Sequence, residues 1–305
     1  MERRKIRERV RELAAQGGEW IYDIPLPHGV WTGGKLNVPH TRLKRIVQII
    51  GDLMDKPLSR CRVLDLGSLE GLFSIEMAQQ GAETVGVEIR RQNLDKAEFA
   101  RKLLGLTNLQ FRQDDVRNIS VAGYGRFDAI ICSGILYHLP AGDVIDLIRT
   151  MYAMADRAVV IDTHVALAAE RAFTRGGETY RGRDHSEFGP GMSDAQKAAS
   201  RLSSADNDTS FWLTRPSLIN AMSAAGFSSV YECFTPAHLN FGRPGFESRD
   251  RVTFVGIKGE KVRLNNSPAA NDLDERWPEG ALSYAPPSNS LGRRGKNLVK
   301  RLLGR

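Results

Sequence analysis

Apolar, β-type runs alternate with helical patterns through the middle of the chain, and this alternation most constrains the fold. We predict strands over about 62–66, 84–89, 109–112, 127–133 and 158–162, with helices over about 72–80, 92–104 and 143–154 between them. Strands that alternate with helices in this way form a parallel sheet covered by helices. A helix over 215–225 and strands over 227–234 and 251–257 follow a long, irregular stretch.

The stretch VLDLGSLEGLF, residues 63–73, joins the first predicted strand to a helix. Ligands of open α/β sheets bind at the carboxyl ends of the strands, where this turn lies. Gly67 and Gly71 allow a ligand to approach the backbone closely. A dinucleotide loop would need the pattern G-x-G-x-x-G, and two of its three glycines are replaced by Leu69 and Leu72.

Two carboxylates flank this turn and indicate the charge of its ligand. Asp65 precedes the turn and Glu70 lies within it. Both would repel a pyrophosphate, whereas they suit a ligand that carries ammonium and sulfonium charges.

Four motifs in order resemble those of the class I S-adenosylmethionine-dependent methyltransferases: VLDLGSLEG (63–71), VGVEIR (85–90), FRQDDV (111–116) and FDAIICSGILYHL (127–139). The resemblance covers about residues 60–165, and 210–257 more weakly. It implies that Glu88 holds the ribose hydroxyls and that an acidic residue after the third strand, Asp115 rather than Asp114, meets the adenine amino group. The implied binding residues for S-adenosyl-L-methionine are Asp65, Gly67, Ser68, Glu70, Gly71, Glu88, Asp114, Asp115, Val116, Ser133 and Gly134.

The resemblance also implies an α/β fold with a Rossmann-like, seven-stranded sheet, mostly parallel with an antiparallel last strand and helices on both faces. We expect residues 1–55 to form a helical extension that covers the site. Residues 56–258 would form the methyltransferase domain, with a substrate lid inserted at 163–213. Residues 259–305 are rich in Asn, Pro, Ser and Gly and predict a poorly ordered basic tail.

Methylation of an alcohol needs a group that removes the hydroxyl proton, and several side chains after the fourth and fifth strands are candidates. His164 is our first choice as a catalytic residue, because it follows a strand that ends in Asp162; His138 is the second, and Asp162 is a third. Each histidine is also consistent with a structural role. The residues predicted to bind the acceptor are Tyr137, Tyr180, Arg181, Arg183, His185 and Trp212.

Three hypotheses describe the function, and two of them name a methyl acceptor. A saccharide or small-molecule hydroxyl ranks first, because the chain resembles bacterial enzymes that act on sugars and natural products. tRNA ranks second, through a weaker similarity to wobble-uridine carboxymethoxy-modifying enzymes, whose C-G-x-G type turn is replaced here by SLEG. The third hypothesis is a non-catalytic S-adenosylmethionine-binding protein.

The charged residues and the cysteines indicate which partners the chain could contact and in which compartment it would fold. The formal charge is +7, and six basic residues occur both in the first eleven residues and in the last thirteen. These termini suit nucleic acid or peripheral membrane contact, although solvated ends explain them more simply. Cys61, Cys132 and Cys233 are widely spaced and predict free thiols in the cytoplasm, without a disulfide or metal site.

Overall fold

The computed structural model describes residues 2–33, 39–234 and 250–279. The last residues of the predicted basic tail therefore lie outside the described residues. The helices are α1 (Arg3–Gly17), α2 (Pro39–Leu53), α3 (Leu72–Gln79), α4 (Arg91–Leu103), α5 (Val121–Tyr124), α6 (Ala141–Met154), α7 (Asp194–Ala199) and α8 (Arg215–Ala225).

Twelve strands form three sheets in the described residues. The strands are β1 (Pro25–Leu26), β2 (Val30–Trp31), β3 (Arg62–Leu66), β4 (Glu83–Glu88), β5 (Leu109–Gln113), β6 (Phe127–Ser133), β7 (Ala155–His164), β8 (Arg171–Arg175), β9 (Glu178–Ser186), β10 (Thr209–Leu213), β11 (Ser229–Cys233) and β12 (Arg251–Ile257).

The main sheet has seven strands in the order β11-β12-β7-β6-β3-β4-β5. β3 to β7 pair in parallel, and β12 is antiparallel to both of its neighbours. The predicted fold is confirmed, including the antiparallel last strand. Strand order reverses between β3 and β6, so the loops after these two strands open a crevice at the switch point.

Both faces of the sheet are buried, which explains why its strands are almost continuously apolar. Along β6, Ile130 and Cys132 pack in the core shared with α6 and α8, whereas Ala129 and Ile131 pack in the core shared with α1, α2 and α3. The same alternation on β7 directs Val160 toward α2. Asp162, two residues further along β7, therefore faces the same helix.

The insertion contains structure that the sequence did not reveal. An antiparallel sheet with the order β10-β9-β8 lies where an irregular stretch was expected. β9 reads ETYRGRDHS, and Tyr180 is its single large apolar residue, so the strand lacks a clear hydrophobic period. Among the described residues, no helix combines the length and apolar character that a membrane span requires.

Candidate functional site

A cavity of about 250 Å³ lies at the carboxyl edge of the parallel strands, beside the switch point. Its walls come from four parts of the chain: the loops after β3 to β6, the N-terminal segment, one turn of the insertion and the start of β12. The predicted site residues that line it are Gly67, Glu88, Asp114, Asp115, Val116, Ser133, Gly134, Tyr137 and His138.

The turn after β3 brings the backbone to the cavity. Gly67 has a φ of 65°, and a Cβ at this position would lie 3.1 Å from the Cβ of Ile135. Leu69, which replaces the middle glycine, also has a positive φ of 49°. A leucine is uncommon in this left-handed region, so the turn keeps the glycine-like conformation although the side chain differs.

Acidic groups line the cavity at the ends of β4 and β5. The Glu88 carboxylate is held by the N–H groups of Leu69 and Arg90, at 2.9 and 2.8 Å. The Asp114 carboxylate accepts the Tyr124 hydroxyl at 2.6 Å, and Asp115 pairs with an arginine two residues on. Each of these carboxylates is therefore held in a fixed position by hydrogen bonds.

Four of the residues predicted to bind the cofactor do not line the cavity: Asp65, Ser68, Glu70 and Gly71. The Ser74 hydroxyl donates to Asp65 at 2.5 Å, and burial raises the pKa of Asp65 to about 7 against this hydrogen bond. Ser68 is buried, and its amide donates to the carbonyl of Val87. Gly71 is the N-cap of α3, with a φ of 84°.

The expectation that both acids of the turn face the ligand is corrected, because neither Asp65 nor Glu70 lines the cavity, and Glu70 has other partners. Its side chain is fully buried and points away from the cavity, toward the N-terminal segment. The carboxylate accepts the amides of Ile21 and Tyr22 at 2.8 and 2.9 Å and pairs with Lys96 at 3.0 Å and Arg201 at 3.3 Å. Glu70 therefore anchors the segment whose Ile21 and Tyr22 line the cavity.

His138 and Glu187 form a hydrogen-bonded pair at the cavity wall. Nδ1 of His138 lies 2.9 Å from Oε2 and 3.0 Å from Oε1 of Glu187. Burial would raise the pKa of Glu187, but the hydrogen bond and charge of His138, together with hydrogen bonds from Ser210 and Ser204, lower that pKa below its usual value. An ionised carboxylate only accepts, so Nδ1 carries the proton and Nε2 is left as the proton acceptor.

Asp162 and His164 do not have the positions expected of catalytic bases. Asp162 is paired with Arg251 and Arg42, and these two charges lower its pKa although burial would raise it. His164 does not line the cavity; it stacks on Trp212 with a centroid distance of 4.9 Å, and burial lowers its pKa. Asp162 is therefore an ionised partner of two arginines and is not placed to act as a base. His164 lies outside the cavity.

Alternation along β9 separates the residues predicted to bind the acceptor. Tyr180 packs in the core with Phe173 and Phe211, and this position contradicts the prediction that it contacts the acceptor. Arg183 and His185 lie on the opposite face, where both stack on Trp212 at 4.5 and 4.3 Å. Arg181 lies on the same face of β9 as Arg183 and His185, because alternate residues of a strand share a face.

Residues 201–206, which we name the strap, form the roof of the cavity. The guanidinium group of Arg90 donates to the carbonyls of Ser203 and Ser204, both at 3.0 Å. The amide of Ser204 donates in turn to Oε2 of Glu187 at 2.9 Å. The strap is thus connected both to Arg90, which follows β4, and to the His138–Glu187 pair.

Sequence reasoning missed several residues that line the cavity or orient its side chains. They are Ile21, Tyr22, Arg42, Leu69, Arg90, Arg117, Glu187, the strap and Arg251. For Arg251 a signal existed, since it opens an apolar strand that is antiparallel and therefore begins at the site edge. The remaining contacts depend on packing between distant segments.

A family model described as a methyltransferase domain matches residues 38–232, and the chain belongs to this family. Its fold is that of the class I S-adenosylmethionine-dependent methyltransferases. The N-terminal domain of EvdMO1, solved in the presence of SAH (S-adenosylhomocysteine) and D-fucose, superimposes with a TM-score of 0.64 and 25% identity. That match covers 85% of this chain and 98% of the EvdMO1 domain.

Curated relatives match shorter parts of the chain. A ubiquinone biosynthesis O-methyltransferase of Leptothrix cholodnii is 28% identical over 99 residues, which are 32% of this chain and 40% of that protein. The O-antigen chain terminator bifunctional methyltransferase/kinase WbdD of Escherichia coli is 26% identical over 152 residues, which are 48% of this chain and 21% of that protein. This chain thus spans less than half the length of either relative.

The cavity fits S-adenosylmethionine, the cofactor of this class. Gly67 lines the cavity with backbone alone, and the carboxylate of Glu88, held by the Leu69 amide, would suit a ribose diol. The Ser133 hydroxyl lines the cavity, is buried and has no hydrogen-bond partner among the described residues. A buried hydroxyl without a partner is costly, and a polar ligand would satisfy it.

Proposed function

We propose that this chain methylates a hydroxyl group of a saccharide or another small molecule, with S-adenosylmethionine as methyl donor and His138 as general base. The observation that carries the proposal is the His138–Glu187 pair at the wall of the cofactor cavity. A hydroxyl acceptor is supported by the relative named as a ubiquinone biosynthesis O-methyltransferase, and a saccharide is supported by the EvdMO1 domain, solved in the presence of D-fucose, and by the O-antigen relative.

The residues of the site would contribute mainly by orienting the acceptor and by removing one proton from its hydroxyl group. The cofactor supplies a methyl group on a positively charged sulfur. When the methyl group is transferred to the acceptor oxygen, Nε2 of His138 would take the proton that this hydroxyl gives up. Glu187 fixes the orientation of the ring and stabilises the imidazolium that results. The strap excludes water from the cavity, since its residues form the roof.

The test measures SAH release with a panel of sugars and phenols, together with SAH binding by calorimetry. His138→Gln is expected to lower kcat by about 10²- to 10⁴-fold, the usual contribution of a general base, with little change in SAH affinity. His164→Gln is the matched control, because that histidine lies outside the cavity.

A larger loss of kcat in His164→Gln than in His138→Gln would contradict this assignment. Tight SAH binding without turnover on any acceptor would instead support a non-catalytic binder. The tRNA and membrane hypotheses rest partly on residues 280–305, which lie outside the described residues, and they stay predictions.

A further inference from the structure

Two buried arginines share one carboxylate at the inner wall of the cavity. The Nε atoms of Arg42 and Arg251 lie 3.2 and 2.6 Å from Oδ1 of Asp162. Their side chains are 17% and 5% exposed, and that of Asp162 is 2% exposed. Both arginines line the cavity. Two positive charges therefore meet one negative charge where little water can screen them.

The neighbouring groups do not supply the missing negative charge. Thr253 donates its hydroxyl to Oδ2 of Asp162 at 2.7 Å, and Tyr137 accepts from Nη1 of Arg251 at 3.1 Å. Arg45, on the same helix as the first arginine, donates to the Thr253 hydroxyl at 3.3 Å and adds positive charge. Within the described ranges, the carboxylate of Asp162 is the one anion that pairs with this cluster.

Nη2 of Arg251 has the Asp162 carboxylate as its one charged contact among the described residues. It forms an ion pair with Oδ1 at 2.5 Å, but the geometry is poor and no hydrogen bond forms with any described residue. A Cβ on Gly134 would lie 3.7 Å from this nitrogen, so Nη2 faces the cavity loop that follows β6. Because Arg251 shares its one carboxylate with Arg42, its guanidinium group can accept a second anion, and its planar shape matches a carboxylate well.

We infer that Arg42 and Arg251 form a binding site for a carboxylate group carried by a ligand of this cavity. The inference rests on the proposed function only in that the cavity holds the cofactor and an acceptor. A bound carboxylate would give Arg42 and Arg251 two negative charges to match their own two positive charges. Two sources share this chemistry: the amino-acid end of S-adenosylmethionine, and an acceptor that carries an acidic group.

Calorimetry with two ligands tests the first source without any turnover. SAH carries the carboxylate, and its decarboxylated analogue keeps the adenosine, the thioether and the amine. In Arg42→Met and Arg251→Met, SAH is expected to bind about tenfold to a hundredfold more weakly, the usual loss for a charged hydrogen bond. The analogue is expected to change by less than about threefold. Lys44→Met, an exposed position on the same helix, is the matched control.

A second arm tests the acceptor as the source. Acceptors are supplied in pairs, as the free acid and as the methyl ester. If SAH affinity is unchanged but the preference for the acid over the ester disappears in both variants, the site binds the acceptor's carboxylate. Arg42→Lys keeps the charge and is expected to lie between the wild type and Arg42→Met in whichever arm responds.

Two results would overturn the inference. One is an equal loss of affinity for SAH and its decarboxylated analogue, which would show that the arginines only support the shape of the cavity. The other is no change in either arm. A wild-type protein that binds SAH but methylates no hydroxyl would contradict the proposed function and leave the carboxylate site intact.

Discussion

Glu70→Ala is expected to lower the free energy of unfolding by roughly 3–5 kcal/mol, because it removes one partner of a buried ion pair. The side chains of Glu70 and Lys96 are both 0% exposed, so no water replaces the lost carboxylate. The amides of Ile21 and Tyr22 lose their acceptor as well. The carbonyls of residues 18 and 19, at 2.6 and 3.1 Å from Nζ of Lys96, limit the loss.

Urea unfolding followed by circular dichroism, without cofactor, measures this effect. Glu83→Ala is the control, since it breaks an exposed ion pair with Arg62 that is worth about 1 kcal/mol or less. The double variant Glu70→Leu with Lys96→Met is expected to recover part of the stability, because it removes the fully buried charge of Lys96 and leaves only Arg201, whose side chain is 13% exposed, without its carboxylate. If Glu70→Ala unfolds within about 0.5 kcal/mol of the wild type, well below the expected loss for a broken buried pair, the anchoring role is refuted. A loss seen only with SAH present would restore the original expectation that Glu70 faces the ligand.

Two further predictions concern the turn. Since burial raises the pKa of Asp65 from 3.8 to about 7, its stabilising contribution is complete below its unfolded-state pKa and is lost as the pH rises through about 7. Asp65→Asn should therefore gain stability relative to the wild type from about pH 4 to 8 in urea titrations, and parallel pH curves would contradict this. Gly67→Val is expected to weaken SAH binding at least about a hundredfold, since a side chain there is strained and meets Ile135, whereas Leu69→Gly is expected to bind SAH within about threefold of the wild type. Calorimetry checks both, and equal affinities in Gly67→Val and the wild type would refute the close approach.

The strands and helices of the main sheet could be predicted from the sequence because burial on both faces imposes continuous apolar runs. The predicted bounds of β3, β6, α8 and β12 coincide with the observed elements. The insertion was harder, since β9 buries only one face and carries charged residues on the other. The positions of the ligand loops also followed from the sequence, because a parallel sheet brings the carboxyl ends of its strands to one edge.

The directions and partners of the site's side chains were decided by the tertiary structure. His138 meets Glu187 across 49 residues, and Arg251 meets Asp162 across 89. Such pairs depend on strand register and on how the insertion folds back, and local sequence patterns carry neither. The same limit applies to the turn: VLDLGSLEGLF shows that Asp65, Gly67 and Glu70 lie at the ligand edge, but only packing against the N-terminal segment turns Glu70 away from the cavity.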